Sequence, residues 1–192
     1  STLMRSSAAS DVYKRQAIAL AVATSMIKVI KLPMGGSVTL FSMLFIVLIG
    51  YWYGIKTGLT AAIAYGVLQL LLDPYILNIP QVLLDYILGF GALGLSGIFS
   101  KSKHGLVKGY IIGVIGRFIC SFLSGWIFFA VYTPDFFNSA ILYSVVYNGS
   151  YIGLEAVVTL VVISLPPVNK ALAYVKNNLA VSYTHLTLPT IA

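Results

Sequence analysis

Long apolar stretches, cut apart by short glycine-, proline- or lysine-bearing punctuation, leave few folds open to this chain. The stretches cover residues 17–30, 39–53, 57–72, 81–99, 106–131 and 139–165. Between them stand Pro33-Met34-Gly35-Gly36, Gly54-Ile55-Lys56, Asp73-Pro74, the lysine loop 101–108 and Thr133-Pro134-Asp135, with Pro166-Pro167 after the last. These are turn and helix-end signals. About 20 apolar residues in a helix cross the ~30 Å hydrocarbon core of a bilayer. Only 9% of the residues are charged and 59% are hydrophobic, whereas a soluble domain carries about 25% charged residues. Most of this surface has no need of water. The pattern predicts one all-α membrane domain, a bundle of about six transmembrane helices. The shorter stretches are expected to be tilted, broken or covered by their neighbours.

The two ends share no pattern with the interior. STLMRSSAASDVYKRQ at residues 1–16 and VSYTHLTLPTIA at 181–192 resemble translated sequencing-adapter read-through. They are expected to be non-native tails around a membrane domain at 17–180 whose first helix is truncated. His185 falls in the second tail.

The formal net charge of +7 does not point to nucleic acid, because the basic residues sit at the ends of apolar stretches and not along one soluble face. They read as topology signals. With about six spans, Lys56, Lys101, Lys103, Lys108, Lys170 and Lys176 fall on one side, and Lys28, Lys31, Asp73 and Asp135 on the other. The lysine-rich side is expected to face the cytoplasm and to hold both termini. The single Cys120 excludes an intramolecular disulfide.

Ionisable groups inside spans are expensive, about 2.5–3.5 kcal/mol even on the lenient insertion scale. Asp85, Arg117 and Glu155 are such groups. Arg117 could neutralise one acid, which leaves the other needing a ligand or a wet cavity. Asp85 beside Tyr86, near the start of the fourth stretch, suits an organic cation, with Coulomb and cation–π attraction acting together. Tyr75, Trp126, Phe128, Phe129, Tyr143 and Tyr147 fall toward the same end, as pocket walls or as an interfacial belt. Asn148 offers a donor and an acceptor on one amide. That fits an aminopyrimidine edge and equally a helix–helix clamp. Small residues Ala17/Ala21, Ala19/Ala23, Gly89, Gly91, Gly94 and Gly97 suit close helix packing, within the bundle or against a partner.

Motifs for chemistry are missing. There is no G-x-x-x-x-G-K-[ST] for ATP and no H-E-x-x-H for zinc. Gly94-Leu95-Ser96-Gly97 resembles the G-x-S-G of intramembrane serine proteases, but the only interior histidine, His104, stands in the lysine loop, away from a serine that would need a base. No catalytic residue, metal or cofactor is expected.

Taken in order, Gly35-Gly36-Ser37-Val38, Tyr75 ten residues before Asp85, Leu84-Asp85-Tyr86, Arg117-Phe118 leading to Ser124-Gly125, Tyr143-Ser144 and Tyr147-Asn148 resemble the thiamine S-components of energy-coupling-factor (ECF) vitamin transporters. That resemblance implies a six-helix bundle in the bacterial cell membrane with an outward-facing vitamin pocket. It places Asp85 against the thiazolium ring and Asn148 on the aminopyrimidine. Tyr86, Tyr75, Tyr143 and Tyr147 are pocket tyrosines by the same resemblance, and Phe129 stands where some members stack a tryptophan. Ser121 replaces a frequent histidine, and Gly35 an occasional tryptophan. The implied partners are thiamine, a transmembrane coupling protein docked on Ala17 and Ala21, and two cytoplasmic ATPase subunits. An S-component for another vitamin and a stand-alone carrier remain the alternatives.

Overall fold

The computed structural model describes residues 2–187. They form seven helices and a small hairpin: α1 Thr2–Met26, β1 Lys28–Lys31, β2 Ser37–Thr39, α2 Ser42–Tyr53, α3 Ile55–Leu72, α4 Ile79–Phe99, α5 Gly105–Phe128, α6 Ala140–Ser164 and α7 Pro166–Thr187. Among the described residues, α3, α4, α5 and α6 are long and apolar enough to cross a membrane. The chain is therefore a multi-pass helical membrane protein, but not a plain array of six spans.

The differences have local causes. The first stretch was expected to stay helical to residue 30. The helix stops at Met26, and Lys28–Lys31 pairs antiparallel with Ser37–Thr39. Val29 and Ile30 are β-branched and favour extended backbone, and Met34 (φ 60°) and Gly35 (φ 89°) make the left-handed turn that closes the hairpin. Pro166-Pro167 was expected to end the bundle. Instead it opens α7, because proline is suited to the first helical turn, where its missing N–H is no loss.

α2 has 12 residues, about 18 Å of helix, too short to span alone. It survives in the centre because it is apolar on every side: Met43, Ile46, Val47 and Ile49 have no exposed surface. α1, α3, α4 and α5 pack around it. Glycines set the approach of α2, α3 and α4. A Cβ on Gly94 would lie 2.6 Å from the backbone of Gly58, and one on Gly58 would lie 2.7 Å from Gly50 Cα. A Cβ on Gly97 would lie 2.4 Å from Ile55. Backbone meets backbone here, as in small-residue membrane packing. Ser96, in the same stretch, is fully buried and donates to Val47 O at 2.9 Å; it is a packing serine.

The first-helix ridge is divided. Ala17 and Ala21 face the chain's own core, with Ala21 0% exposed, because α1 lies on α2 and α3. They do not form a free docking surface. Ala19 and Ala23 lie on the other side of the helix and are exposed.

Candidate functional site

A cavity of ≈ 130 Å³ opens between the hairpin, α3, α4, α5 and α6. All nine residues expected to bind a ligand line it: Gly35, Tyr75, Asp85, Tyr86, Ser121, Phe129, Tyr143, Tyr147 and Asn148. Trp126 and Phe128 do not, and Trp126 is exposed on the outside of α5.

Asp85 owes its setting to an irregular helix. Over Leu83–Leu88 α4 winds as a π-helix, and Gly89 N–H reaches back to Leu84 O. Such wide turns shift side chains relative to a regular helix and recur at functional sites. Asp85 Oδ2 accepts from Gln81 Nε2 at 2.7 Å and from Ser124 Oγ at 2.8 Å. No hydrogen bond among the described residues reaches Oδ1, so that oxygen can meet a ligand. Gln81 is 1% exposed. It also donates to Tyr75 O and accepts from Leu77 N–H, while Asn78 Oδ1 caps its own N–H. It clamps the α3–α4 loop, and with it Tyr75, to the acid.

Arg117 forms no ion pair with either acid among the described residues. The ion pairs among the described residues are Lys14–Asp11 and Lys28–Asp73. The Arg117 guanidinium lies 4.4 Å from the Phe90 ring centre and lines the cavity. The ring face gives the half-buried cation a cation–π contact. Glu155 lies outside the cavity lining and is 4% exposed.

Asn148 is presented from α6. Its Nδ2 donates to Ser144 O at 2.9 Å and to Ser144 Oγ at 3.2 Å, and Tyr151 Oη donates to its Oδ1 at 3.0 Å. Gly125 lets α5 come this close, since a Cβ there would lie 2.3 Å from Ser144 Oγ. The aromatic residues form the walls. Tyr75 and Phe129 have ring centres 5.6 Å apart, Tyr143 and Tyr147 5.8 Å, and Tyr147 and Tyr151 5.7 Å. Two phenols fasten the mouth. Tyr147 Oη donates to Pro33 O and accepts from Gly36 N–H, while Tyr86 Oη donates to Asp73 O and accepts from Tyr75 N–H. The Lys28–Asp73 pair ties the hairpin to the end of α3 on the same side.

Gln81 and Tyr151, not singled out in the sequence, line the cavity too, as do Ser124 and Ser144, which belonged to the resembling motifs without a binding role. Tyr151 was within reach, because Tyr143, Tyr147 and Tyr151 recur every four residues and so share one helix face. Gln81 carried a signal as well: a polar amide at the head of an apolar stretch, three residues after an asparagine suited to cap a helix.

The fold and site define a class: a multi-pass helical membrane protein with an aromatic-walled small-molecule pocket, lined by the carboxylates Asp73 and Asp85. Residues 14–175 match the family model described as "Thiamine transporter protein (Thia_YuaJ)", and the chain belongs to that family. It is 32% identical over 150 residues to the thiamine transporter ThiT of Bacillus subtilis strain 168, covering 71% of this chain and 77% of that protein. The ThiT of Lacticaseibacillus paracasei is 29% identical over 129 residues, covering 58% of this chain and 64% of that one; the chain thus spans less than two thirds of this second relative. A solved structure of ThiT from Listeria monocytogenes superposes with a TM-score of 0.66 at 23% identity, over 81% of this chain and 93% of that one. This likeness establishes the shared fold.

Proposed function

We propose that this chain is the thiamine-capturing S-component of an ECF-type importer. The observation that carries the reading is Asp85: a carboxylate anchored through one oxygen, with no hydrogen bond on the other among the described residues, lining the same aromatic cavity as Asn148. Thiamine has a permanently cationic thiazolium and an aminopyrimidine. A carboxylate in a low effective dielectric attracts the first, and the surrounding rings add cation–π attraction. The Asn148 amide is complementary to the donor–acceptor edge of the second once one N–H turns from Ser144 to the ligand. Family membership supports the same ligand.

The chain works by binding, without catalysing a reaction. Thiamine enters from outside, past the hairpin. A coupling protein then engages the exposed Ala19/Ala23 side of α1, and two ATPase subunits on the cytoplasmic face drive release. Lys56, Lys101, Lys103 and Lys108 mark that face, and both termini lie on it. Residues 17–180 form the native membrane domain in this reading, flanked by foreign tails.

The test is isothermal titration calorimetry of the full chain in detergent with thiamine. Saturable one-to-one binding at micromolar ligand or below is expected. No heat of binding at that concentration would sink the assignment. Tryptophan quenching is a poorer readout, because neither Trp52 nor Trp126 lines the cavity.

A further inference from the structure

Glu155 is a buried acid that does not line the cavity. It lies on α6, seven residues after Asn148, which places it about two turns deeper on the same face. Its carboxylate reaches across to the start of α2. Oε2 accepts from Thr39 Oγ1 at 2.9 Å; Oε1 accepts from Ser42 Oγ at 3.2 Å and from Met43 N–H at 3.2 Å. Thr39 Oγ1 and Ser42 Oγ are themselves 2.5 Å apart.

This junction is where the hairpin meets the bundle. Thr39 ends β2 and Ser42 begins α2. Phe41 between them holds a left-handed backbone (φ 61°) and gives α2 no side-chain cap. A non-glycine residue persists there only when its surroundings over-determine it. Glu155 supplies the missing cap from another helix, at the end where unsatisfied N–H groups and the helix dipole favour an anion. Thr39 and Ser42 line the cavity on their other side, and the hairpin they anchor carries Gly35 and Gly36 over its mouth.

We propose that Glu155 is a positioning residue for the pocket: it never touches the ligand, but fixes the base of the hairpin so that Gly36 meets Tyr147 and the mouth closes. The inference rests on the binding reading above only for its kinetic consequence. In the ligand-free protein, the base of the hairpin is anchored by Glu155 whatever the ligand is.

Two measurements on the full chain in detergent test it. The first is hydrogen exchange without ligand. Glu155→Ala is expected to speed exchange of amides in residues 28–43 by about tenfold or more, the scale of losing hydrogen bonds to a charged group. Exchange in α3 and in α6 around Asn148 is expected to stay unchanged. Glu155→Gln should restore part of the protection, because its amide still accepts one of the bonds. If Glu155→Ala does not fold, Thr39→Val removes one donor at nearly constant shape and should show a smaller change in the same segment. Faster exchange spread evenly over the chain, or no change in residues 28–43, would overturn the proposal. The second measurement is thiamine dissociation, expected to accelerate about tenfold in Glu155→Ala with association little altered; an unchanged dissociation rate would also overturn it. If wild-type protein bound no thiamine, the thiamine assignment would fall, and the exchange result would still decide the role of Glu155.

Discussion

Asp85→Asn isolates charge from shape better than any other change in the pocket. In the wild type, Gln81 Nε2 and Ser124 Oγ both donate to one carboxylate oxygen, Oδ2. An asparagine can place its carbonyl oxygen there and keep both bonds, so Gln81 still clamps Tyr75 and the loop. What disappears is the negative charge, and an amide N–H₂ replaces the free oxygen. A unit charge about 4 Å from a cation is worth about 4 kcal/mol at an effective dielectric of 20 and about 1 kcal/mol in bulk water. The half-buried position of Asp85 lies between these limits. A loss of about 2–3 kcal/mol, roughly a hundredfold in thiamine affinity, is expected. Calorimetric titration with thiamine and with its neutral aminopyrimidine fragment reads the two parts separately. Thiamine should weaken roughly a hundredfold and the fragment by no more than a few-fold. Equal losses for both would refute the counter-ion role and make Asp85 a structural hub for Gln81 and Ser124.

Three further outcomes are expected. Asn148→Leu should weaken thiamine and the pyrimidine fragment alike, by roughly tenfold or more, since it strips both hydrogen-bonding groups from a buried amide; fragment affinity by calorimetry checks it. Tyr147→Phe removes the bonds to Pro33 O and Gly36 N–H and should speed thiamine release several-fold with little change in thermal midpoint, read by ligand-chase kinetics. Gly94→Ala drives a methyl to 2.6 Å from the Gly58 backbone; since no flexible side chain can yield, it should cost at least the 1–3 kcal/mol typical of overpacking, seen as a lower unfolding midpoint in detergent.

The long spans were legible because hydropathy and punctuation are local signals. The boundaries expected for residues 57–72, 81–99, 106–131 and 139–165 lie within a few residues of α3, α4, α5 and α6. The hairpin was not legible. Its strands owe their form to pairing with each other and to contacts with Asp73 and Tyr147, which lie far along the sequence. α7 was hidden by a proline pair that serves a helix start as readily as an end. In the pocket, Asp85 and Asn148 stood out because polar groups in apolar stretches demand partners. The identity of those partners did not stand out. Arg117 settled on Phe90, and Glu155 on the head of α2, because three-dimensional reach, not spacing in the chain, decides which groups meet. The wide turn at Leu83–Leu88 leaves no trace in composition.

The glycine contacts among α2, α3 and α4 divide the molecule unevenly along its length. Toward the lysine-rich end, main chain touches main chain at Gly50, Gly58, Gly94 and Gly97, and no larger residue can be admitted without prising helices apart. Toward the hairpin end, tyrosines, serines and amides surround open space, although α3 and α4 still meet closely at Gly66, where a Cβ would lie 2.2 Å from Tyr86 O. Mutational tolerance follows that division. The jammed end can drift very little in sequence, while at the open end the positions whose side chains face the cavity, and not a neighbouring backbone, have room to change. Ser121 is such a position; Gly35 lines the same cavity, but its left-handed backbone (φ 89°) favours glycine.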